Sequence, residues 1–313
     1  MKYLGSAAVA LVLASGFATS AQAVVIDNGL TSDTVGYWSV DMASGGQVNS
    51  GTLTARGSSG DIHTTNVIYD YFTYISTGDG NAFQLPFGDT VTSTGAASVS
   101  SSGWFIGSNG NRINWTVDSS IADGSAVLTN RFNFSAEEGE LGTIRLFQYL
   151  DEDVIGAGND AFFTRGSVAG GNLELFTVDA EELFGVSHGG AYNSAGGLVS
   201  ADFAGWATCI YNSQKPALEN GTQSVSLSGQ ICSDLSTTSL PGIGTAYGPD
   251  DIVSVLAWDV TSSASGATII TTLGGLPDIT QLPPGEVPEP AALGLFGMGL
   301  LGLAASRRRH ASR

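Results

Sequence analysis

Basic residues are scarce in this chain of 313 residues. It holds 11 Lys and Arg against 29 Asp and Glu, which gives a formal net charge of −18. Only six of the basic residues lie between residues 24 and 286. Because an acidic surface repels phosphate backbones and anionic headgroups, this composition argues against nucleic acid and anionic membrane surfaces as partners. It is compatible with cations and neutral glycans.

Histidine is also scarce, and the signature of a helical zinc site is absent. The three histidines are His63, His188 and His310, and the chain has no His-Glu-x-x-His. One Gly-x-Ser-x-Gly occurs, at residues 185–189, but no helical periodicity follows it, so the strand-to-helix turn that a serine nucleophile requires is not predicted there. We expect His188, which precedes two glycines, to be a loop residue hydrogen-bonded to backbone.

The two cysteines are Cys209 and Cys232. In an oxidising compartment an even pair of this kind predicts a disulfide. Closing the loop would stabilise the fold by roughly 3 kcal/mol in the chain-entropy model. The alternative is two free buried thiols.

Long apolar runs are confined to the two ends of the chain. At the amino end, Lys2 precedes an apolar stretch, and Ala21 and Ala23 form a small-x-small cleavage site. This order predicts a secretory signal peptide over residues 1–23 and a mature chain that starts at Val24.

The carboxyl end combines a short motif, an apolar run and a basic cluster. In order, these are Val287-Pro288-Glu289-Pro290, residues 291–306 and Arg307-Arg308-Arg309. Sixteen helical residues rise about 24 Å, which is short of a hydrocarbon core of about 30 Å. The arginines should stay on the cytoplasmic side. The pattern predicts a marginal transmembrane helix, and the alternative is a plain membrane anchor.

This three-part tail resembles the PEP-CTERM sorting signal of exported proteins in Gram-negative bacteria. The resemblance implies recognition by an exosortase, a membrane cysteine peptidase that removes or transfers the tail. It also implies transient insertion into the inner membrane and then a place at the cell surface or in the extracellular matrix. Such proteins often occur with exopolysaccharide, which is therefore an expected partner.

The region between the two ends lacks helical periodicity. The best candidate for a helical turn is 179–184, whereas short β-branched and aromatic runs recur between Gly, Ser and Thr clusters. Runs at 112–118, 126–134 and 143–150 alternate in polarity, and 67–75 is apolar on both faces. We predict an all-β antiparallel β-sandwich.

Four segments follow from these patterns. We expect a signal peptide at 1–23, a β-sandwich domain at 24–273, a linker rich in Pro and Gly at 274–286, and the sorting signal at 287–313. The linker would let a membrane peptidase reach its cleavage site without unfolding the domain.

An acidic cluster is the sharpest local candidate for chemistry. Asp151, Asp153, Asn159 and Asp160 supply oxygen donors around a Gly-containing loop. Hard cations such as Ca²⁺ take six to eight oxygens, so these residues are candidate ligands, although the spacing is not that of an EF-hand. The alternative is an exposed acidic hairpin turn. A second acidic pair ends at Asp251, and its distance from the first cannot be inferred from sequence.

Aromatic residues offer surfaces on which sugar rings can stack. Trp104 and Trp206 follow glycines and are the expected exposed candidates, whereas Trp115 and Trp258 lie within alternating strands and should be core.

The sequence favours a non-enzymatic exported protein that interacts with the exopolysaccharide matrix. One alternative is a carbohydrate-active enzyme, a glycoside hydrolase or lyase, which would need a cleft with two convergent carboxylates. Another is a calcium-dependent adhesin. No cofactor is certain, and Ca²⁺ is the only candidate.

Overall fold

A computed structural model of the protein describes residues 23–78, 82–85, 90–156, 158–166, 173–190, 201–211, 218, 228–260 and 265–279. The predicted sorting signal and all of the predicted signal peptide except Ala23 lie outside the described residues. Within the described part, no helix is long and apolar enough to cross a membrane.

The described chain is almost entirely β-structure, with a single 3₁₀ turn at Ser44–Gly46. The strands, in chain order, are β1 (Val24–Asp27), β2 (Trp38–Met42), β3 (Val48–Arg56), β4 (Ile62–Ile68), β5 (Asp70–Ser76), β6 (Ala82–Gln84), β7 (Thr90–Gly95), β8 (Ser98–Ile106), β9 (Arg112–Ile121), β10 (Val127–Ala136), β11 (Ile144–Asp151), β12 (Asp160–Arg165), β13 (Glu174–Asp179), β14 (Gly185–Gly190), β15 (Ala201–Ile210), β16 (Ser228–Ile231), β17 (Thr237–Leu240), β18 (Gly244–Asp250), β19 (Ile252–Val260) and β20 (Gly266–Leu276).

These strands form two large sheets that pack as a sandwich. The first sheet has the order β1-β2-β3-β5-β11-β19-β15-β16, with β4 beside β3 and β6 beside β5. The second has the order β17-β18-β12-β13-β14-β20-β10-β9-β8-β7. Neighbouring strands are antiparallel except β15 and β16, which run parallel. The structure therefore confirms the all-β sandwich and adds one parallel pair.

The alternation of polar and apolar residues along the strands correctly predicts which side chains form the core. Trp115 in β9 and Phe132 in β10 are buried and pack with Leu146 of the other sheet, so this cluster lies between the sheets. The next residue of β11, Phe147, belongs to a separate buried cluster with Val255. Because successive side chains of a strand point to opposite faces, this second cluster covers the outer face of the first sheet.

The run at 67–75 is not one regular strand. A bend at Tyr69 divides it into β4 and β5, and the ring of Tyr69 is 56% exposed. On either side of the bend the prediction of two covered faces holds. The successive residues Val67 and Ile68 are buried before it, and Tyr71 and Tyr74, which are three residues apart, are buried after it.

The sandwich extends beyond residue 273, so the predicted start of the linker is wrong. Strand β20 continues to Leu276, and Ile279 is buried in a cluster on the second sheet. Gly275 belongs to this strand, and a Cβ there would lie 2.8 Å from atoms of Trp38 and Leu53 in the first sheet. The glycine therefore marks a close approach between the two sheets and not a flexible tether.

Candidate functional site

Three carboxylates from separate parts of the chain meet at one end of the sandwich. Asp151 ends β11, Asp153 lies two residues later, and Asp251 lies between β18 and β19. One carboxylate oxygen from each of the three lies within 4.8 Å of the others. We refer to these three residues as the outer cluster. Since β18 and β19 belong to different sheets, Asp251 sits where the chain passes from one sheet to the other.

Backbone hydrogen bonds hold the outer cluster in place. The amide of Tyr69 donates to the carbonyl of Asp151 at 2.9 Å, and the amide of Tyr211 donates to the carbonyl of Asp251 at 2.9 Å. Both tyrosines line an open pocket of about 270 Å³ with the three carboxylates. The site is therefore a small acidic pocket with tyrosines at its rim.

Two further carboxyl groups lie buried beside the outer cluster. Glu152 and Asp160 are both 0% exposed, and none of their four carboxyl oxygens has a hydrogen-bond partner among the described residues. Asp160 begins β12 two residues before Phe162, which packs between the sheets. The side-chain alternation of a strand therefore points Asp160 into the same interior. We refer to Glu152 and Asp160 as the inner pair.

The surroundings of Asp160 disfavour its charged form. Burial raises the pKa of Asp160 to about 9, and the carboxylates of Asp179, Asp153 and Asp251 add to the rise. The backbone amide of Val154 lowers the pKa of Asp160 in part, although its position does not meet the geometric limits of a hydrogen bond. Asp160 also pairs with Asp250, the neighbour of Asp251, across β12 and β18, which places the inner pair beside the outer cluster.

Glu152 shows the same effect. Burial raises its pKa well above the usual range, and the carboxylates of Asp160, Asp151 and Asp251 add to the rise. The hydroxyl of Thr177 opposes the rise without forming a hydrogen bond within the geometric limits. A buried carboxyl without a partner is costly when ionised, so Glu152 must be protonated or must neutralise a cation.

The outer cluster is less buried and is also perturbed. Partial burial raises the pKa of Asp153. Burial raises the pKa of Asp251, and the nearby carboxylates of Asp153 and Asp250 contribute. Like charges held this close each disfavour ionisation of the others.

Asp179 is close to this site, yet its carboxylate is satisfied by hydrogen bonds. It faces Asp160 across β12 and β13. The amides of Glu181 and Glu182 donate to Oδ1 of Asp179 at 2.9 and 2.7 Å, and Nδ2 of Asn159 donates to Oδ2 at 3.2 Å.

The helical segment predicted at 179–184 is a single hydrogen-bonded turn. Its hydrogen bond runs from the amide of Leu183 to the carbonyl of Asp179.

The structure brings together part of the predicted cation set. Asp151 and Asp153 share the outer cluster, and Asp160 belongs to the inner pair. Asn159 instead holds Asp179. The predicted set omitted Glu152 and Asp251. Glu152 stands between two predicted ligands in the sequence, whereas the position of Asp251 depends on the long-range pairing of β11 with β19.

The cysteines lie on the two strands of the parallel pair or directly after it. Cys209 is in β15, Cys232 follows β16, and the structure joins them in a disulfide with their Cα atoms 4.9 Å apart. The bond closes a loop with a sequence separation of 23 residues.

The exposure of the tryptophan side chains differs in part from the prediction. Trp104 is 49% exposed, and the guanidinium of Arg112 lies 4.8 Å from its ring centre. Trp206 is buried, because β15 turns its ring towards Phe162 at a centroid distance of 5.8 Å. The expected exposure of Trp206 is therefore wrong. Trp115 and Trp258 are core residues, as predicted.

The expectation for His188 is also wrong. It is a buried residue of β14, and its Nδ1 lies 3.3 Å from the hydroxyl of Ser254. Its ring meets Tyr71 edge to face at 5.5 Å. Burial lowers the pKa of His188 to about 3, so the imidazole is neutral at physiological pH.

Comparisons with known proteins give limited likeness for the folded part. No curated protein sequence matches this chain. A bacterial glucoamylase complexed with acarbose aligns with a TM-score of 0.47 and 12% identity, over 88% of this chain and 34% of that one. The chain thus spans about a third of the glucoamylase. A galactose mutarotase related enzyme from Lactobacillus acidophilus aligns with a TM-score of 0.42 and 8% identity, over 81% of this chain and 97% of that one.

The tail gives the specific match. Residues 286–309 match the family model described as the PEP-CTERM protein-sorting motif. This confirms the resemblance seen in the sequence. The chain carries a PEP-CTERM sorting motif, which implies an exported protein that is processed by an exosortase.

Proposed function

We propose that this protein is a non-enzymatic component of the cell surface or extracellular matrix that associates with exopolysaccharide. The observation that carries the proposal is the sorting motif at residues 286–309. The described part of the same chain is a β-sandwich with the outer cluster of carboxylates at one end.

The proposed route has three steps. A signal peptidase cuts after Ala23, the tail enters the inner membrane with its arginines on the cytoplasmic side, and an exosortase acts near Pro288-Glu289-Pro290. Two features of the fold support this route. Strand β1 begins at Val24, one residue after the proposed first cut, and the sandwich includes Ile279, which leaves 280–286 as the tether.

Intact mass spectrometry of the exported protein tests this route. We expect a mass that starts at Val24 and lacks the apolar run after Pro290, with or without an attached group. A mass that still includes Arg313 would contradict processing of the tail.

The outer face of the second sheet is the proposed glycan surface. Trp104 lies on this face among short polar side chains of β8 and β9, including Ser102 and Thr116. An aromatic ring with hydroxyl neighbours suits a neutral sugar, which stacks through its C–H face and hydrogen-bonds through its hydroxyls.

Co-sedimentation with the host's own exopolysaccharide tests the glycan surface. We expect Trp104→Ala to raise the dissociation constant obtained from co-sedimentation at least about tenfold, the equivalent of roughly 1.4 kcal/mol. Ile106→Ala is the matched control, because Ile106 is 53% exposed on the same face of the same strand. Equal binding by the two variants would remove Trp104 from the proposal.

A carbohydrate-active enzyme is the second candidate, favoured by one observation. The carboxylates of Asp151, Asp153 and Asp251 converge in an open pocket, as the paired carboxylates of a glycosidase do. The distances favour it less, because the outer-cluster oxygens lie within 4.8 Å, whereas retaining glycosidases hold their carboxyls about 5 to 5.5 Å apart. Release of reducing sugar by wild type and its loss in Asp153→Asn would establish the enzyme.

A further inference from the structure

The acidic end of the described structure holds two buried carboxyl groups whose oxygens make no hydrogen bond. These are Glu152 and Asp160, the inner pair, which have no hydrogen-bond partner among the described residues. Neither takes part in the ion pairs His63–Glu182, Arg112–Glu137 and Arg145–Asp259. An ionised carboxylate that is buried without a partner is strongly destabilising, and protein sites resolve this with a proton, an ion pair or a metal ion.

The spacing of the outer cluster fits one hard cation. Ca²⁺ binds oxygen at about 2.3 to 2.6 Å, so two oxygens on opposite sides of the ion are about 4.6 to 5.2 Å apart. The outer-cluster oxygens lie within 4.8 Å of one another, which allows all three to reach one ion. Mg²⁺ binds at about 2.0 to 2.1 Å and demands near-octahedral geometry, so its opposite ligands are only about 4.2 Å apart.

The inner pair gives independent support for a ligand at this place. Glu152 stands between Asp151 and Asp153 in the chain, and Asp160 pairs with Asp250, the neighbour of Asp251, across β12 and β18. The four unpaired oxygens of the inner pair therefore lie beside the outer cluster on its buried side. Negative charge on that side strengthens the attraction of the outer cluster for a cation.

We propose that the outer cluster and the inner pair together form a Ca²⁺ site that joins the two sheets. Asp151, Asp153 and Asp251 are the ligands, and Glu152 and Asp160 supply negative charge from the interior. The ion would connect the end of β11 in the first sheet to the crossing between β18 and β19, beside the start of β12 in the second sheet. This inference goes beyond the proposed function, because sorting and glycan association do not require it.

Thermal unfolding of the exported protein tests the site. The full secreted form is stripped with EDTA, dialysed, and melted alone, with about 10 mM CaCl₂ or with about 10 mM MgCl₂. For a dissociation constant near 10⁻⁴ M, as in extracellular calcium modules, Ca²⁺ should raise the Tm by about 5 to 10 °C. Mg²⁺ should give less than about half of that rise. A Ca²⁺ shift no larger than the Mg²⁺ shift would overturn the proposal.

Two variants distinguish a metal site from a merely structural cluster. Asp251→Asn removes one charge, so without metal its Tm should equal or exceed that of wild type because repulsion is relieved. Asp160→Asn replaces a carboxyl that is protonated without metal, so without metal its Tm should stay close to that of wild type. Asp251→Asn should lose most of the Ca²⁺-dependent rise, and Asp160→Asn should lose part of it because asparagine cannot become charged beside the ion. Asp118→Asn is the matched control, because Asp118 is exposed on β9 and should keep the full rise. Variants that are destabilised without metal and still keep the rise would contradict the site.

Terbium luminescence on wild type keeps the test decisive if a variant fails to fold. Tb³⁺ takes Ca²⁺ positions and emits when a nearby tyrosine is excited, and Tyr69 and Tyr211 line this pocket. We expect tyrosine-sensitised Tb³⁺ emission. CaCl₂ should abolish this emission by displacing the Tb³⁺, and NaCl with the same chloride concentration should leave it unchanged. Absence of sensitised emission would overturn the proposal.

Discussion

Two buried polar regions lie between the sheets of this protein, and they differ in how their polar groups are satisfied. In the neutral region, Nε2 of Gln148 donates to the hydroxyl of Thr73 at 2.6 Å, and Thr271 donates to Oε1 of Gln148. In the acidic region, Glu152 and Asp160 have no hydrogen-bond partner among the described residues. The amide of Gln148 is therefore paired on both its nitrogen and its oxygen, whereas the carboxyls of the acidic region require a proton or a cation.

The position of each region along the strands explains the difference. Gln148 and Thr73 lie in the middle of β11 and β5, where neighbouring strands supply a donor for each acceptor. The acidic residues lie where strands end, and their neighbours are other carboxyls, such as Asp179 opposite Asp160. Polar groups in mid-strand therefore hold the two sheets together, and those at the strand ends are available to a ligand.

Gly248→Ala should have the largest effect, at the acidic end. Gly248 has φ +121°, and a Cβ there would collide with the backbone oxygen of Asp160, so β18 would be forced away from β12. We expect a loss of about 3 kcal/mol in the free energy of unfolding. Gly242→Ala is the control, because Gly242 has φ +77° with open space around it, and it should lose only about 1 to 2 kcal/mol. Equal losses in urea unfolding would contradict the close contact.

Gln148→Leu tests the neutral region. The change keeps the side-chain size but removes the donor to Thr73 and leaves the hydroxyl of Thr271 with Tyr71 as its remaining partner. We expect a loss of about 2 kcal/mol that is the same with EDTA and with Ca²⁺. A loss that depends on Ca²⁺ would show that the two regions are coupled, and a loss below about 0.5 kcal/mol would remove the network as a source of stability.

His188 gives a pH test of the neutral region. Burial lowers its pKa in the folded state to about 3, whereas an unfolded histidine titrates near 6.5. The unfolded state thus binds more protons between these values, so this residue lowers stability as pH falls from about 7 to about 5, by roughly 1 to 2 kcal/mol.

Urea unfolding of His188→Gln measures that contribution. The variant should lose part of the acid destabilisation that wild type shows between about pH 7 and about pH 5. His63→Gln is the control, since His63 is not buried between the sheets and lies 3.7 Å from Glu182. Identical pH profiles for wild type and His188→Gln would contradict a neutral buried imidazole.

The smallest effect is expected where a carboxylate already has a cationic partner. Arg145, at the opposite end of β11 from Asp151, binds both oxygens of Asp259, with Nη2 at 2.7 Å. Both side chains are partly exposed, so Arg145→Met should cost only about 0.5 to 1 kcal/mol. The cost should shrink in about 1 M NaCl, which screens the pair. A larger loss that salt leaves unchanged would point to packing of the arginine stem.

The sequence patterns predicted those features of the structure that depend on residues close together in the chain. Alternation in β9 and β10 identified the inward faces, including Trp115 and Phe132, and the acidic loop after β11 identified Asp151 and Asp153. The features that the sequence did not predict depend on pairing between strands that are far apart in the chain. Asp251 reaches the cluster through the pairing of β11 with β19, and Trp206 is buried because β15 lies opposite Phe162. Gly275 suggested a linker because the sequence cannot show that Trp38 packs against it.

Isothermal titration calorimetry of the metal-free exported protein with CaCl₂ tests the central claim most directly. The account predicts one saturable Ca²⁺ ion per chain, with a dissociation constant of about 10⁻⁵ to 10⁻³ M, and no such binding in Asp251→Asn. Absence of saturable binding in wild type, or the same isotherm in Asp251→Asn, would contradict it and leave the inner pair as protonated core residues.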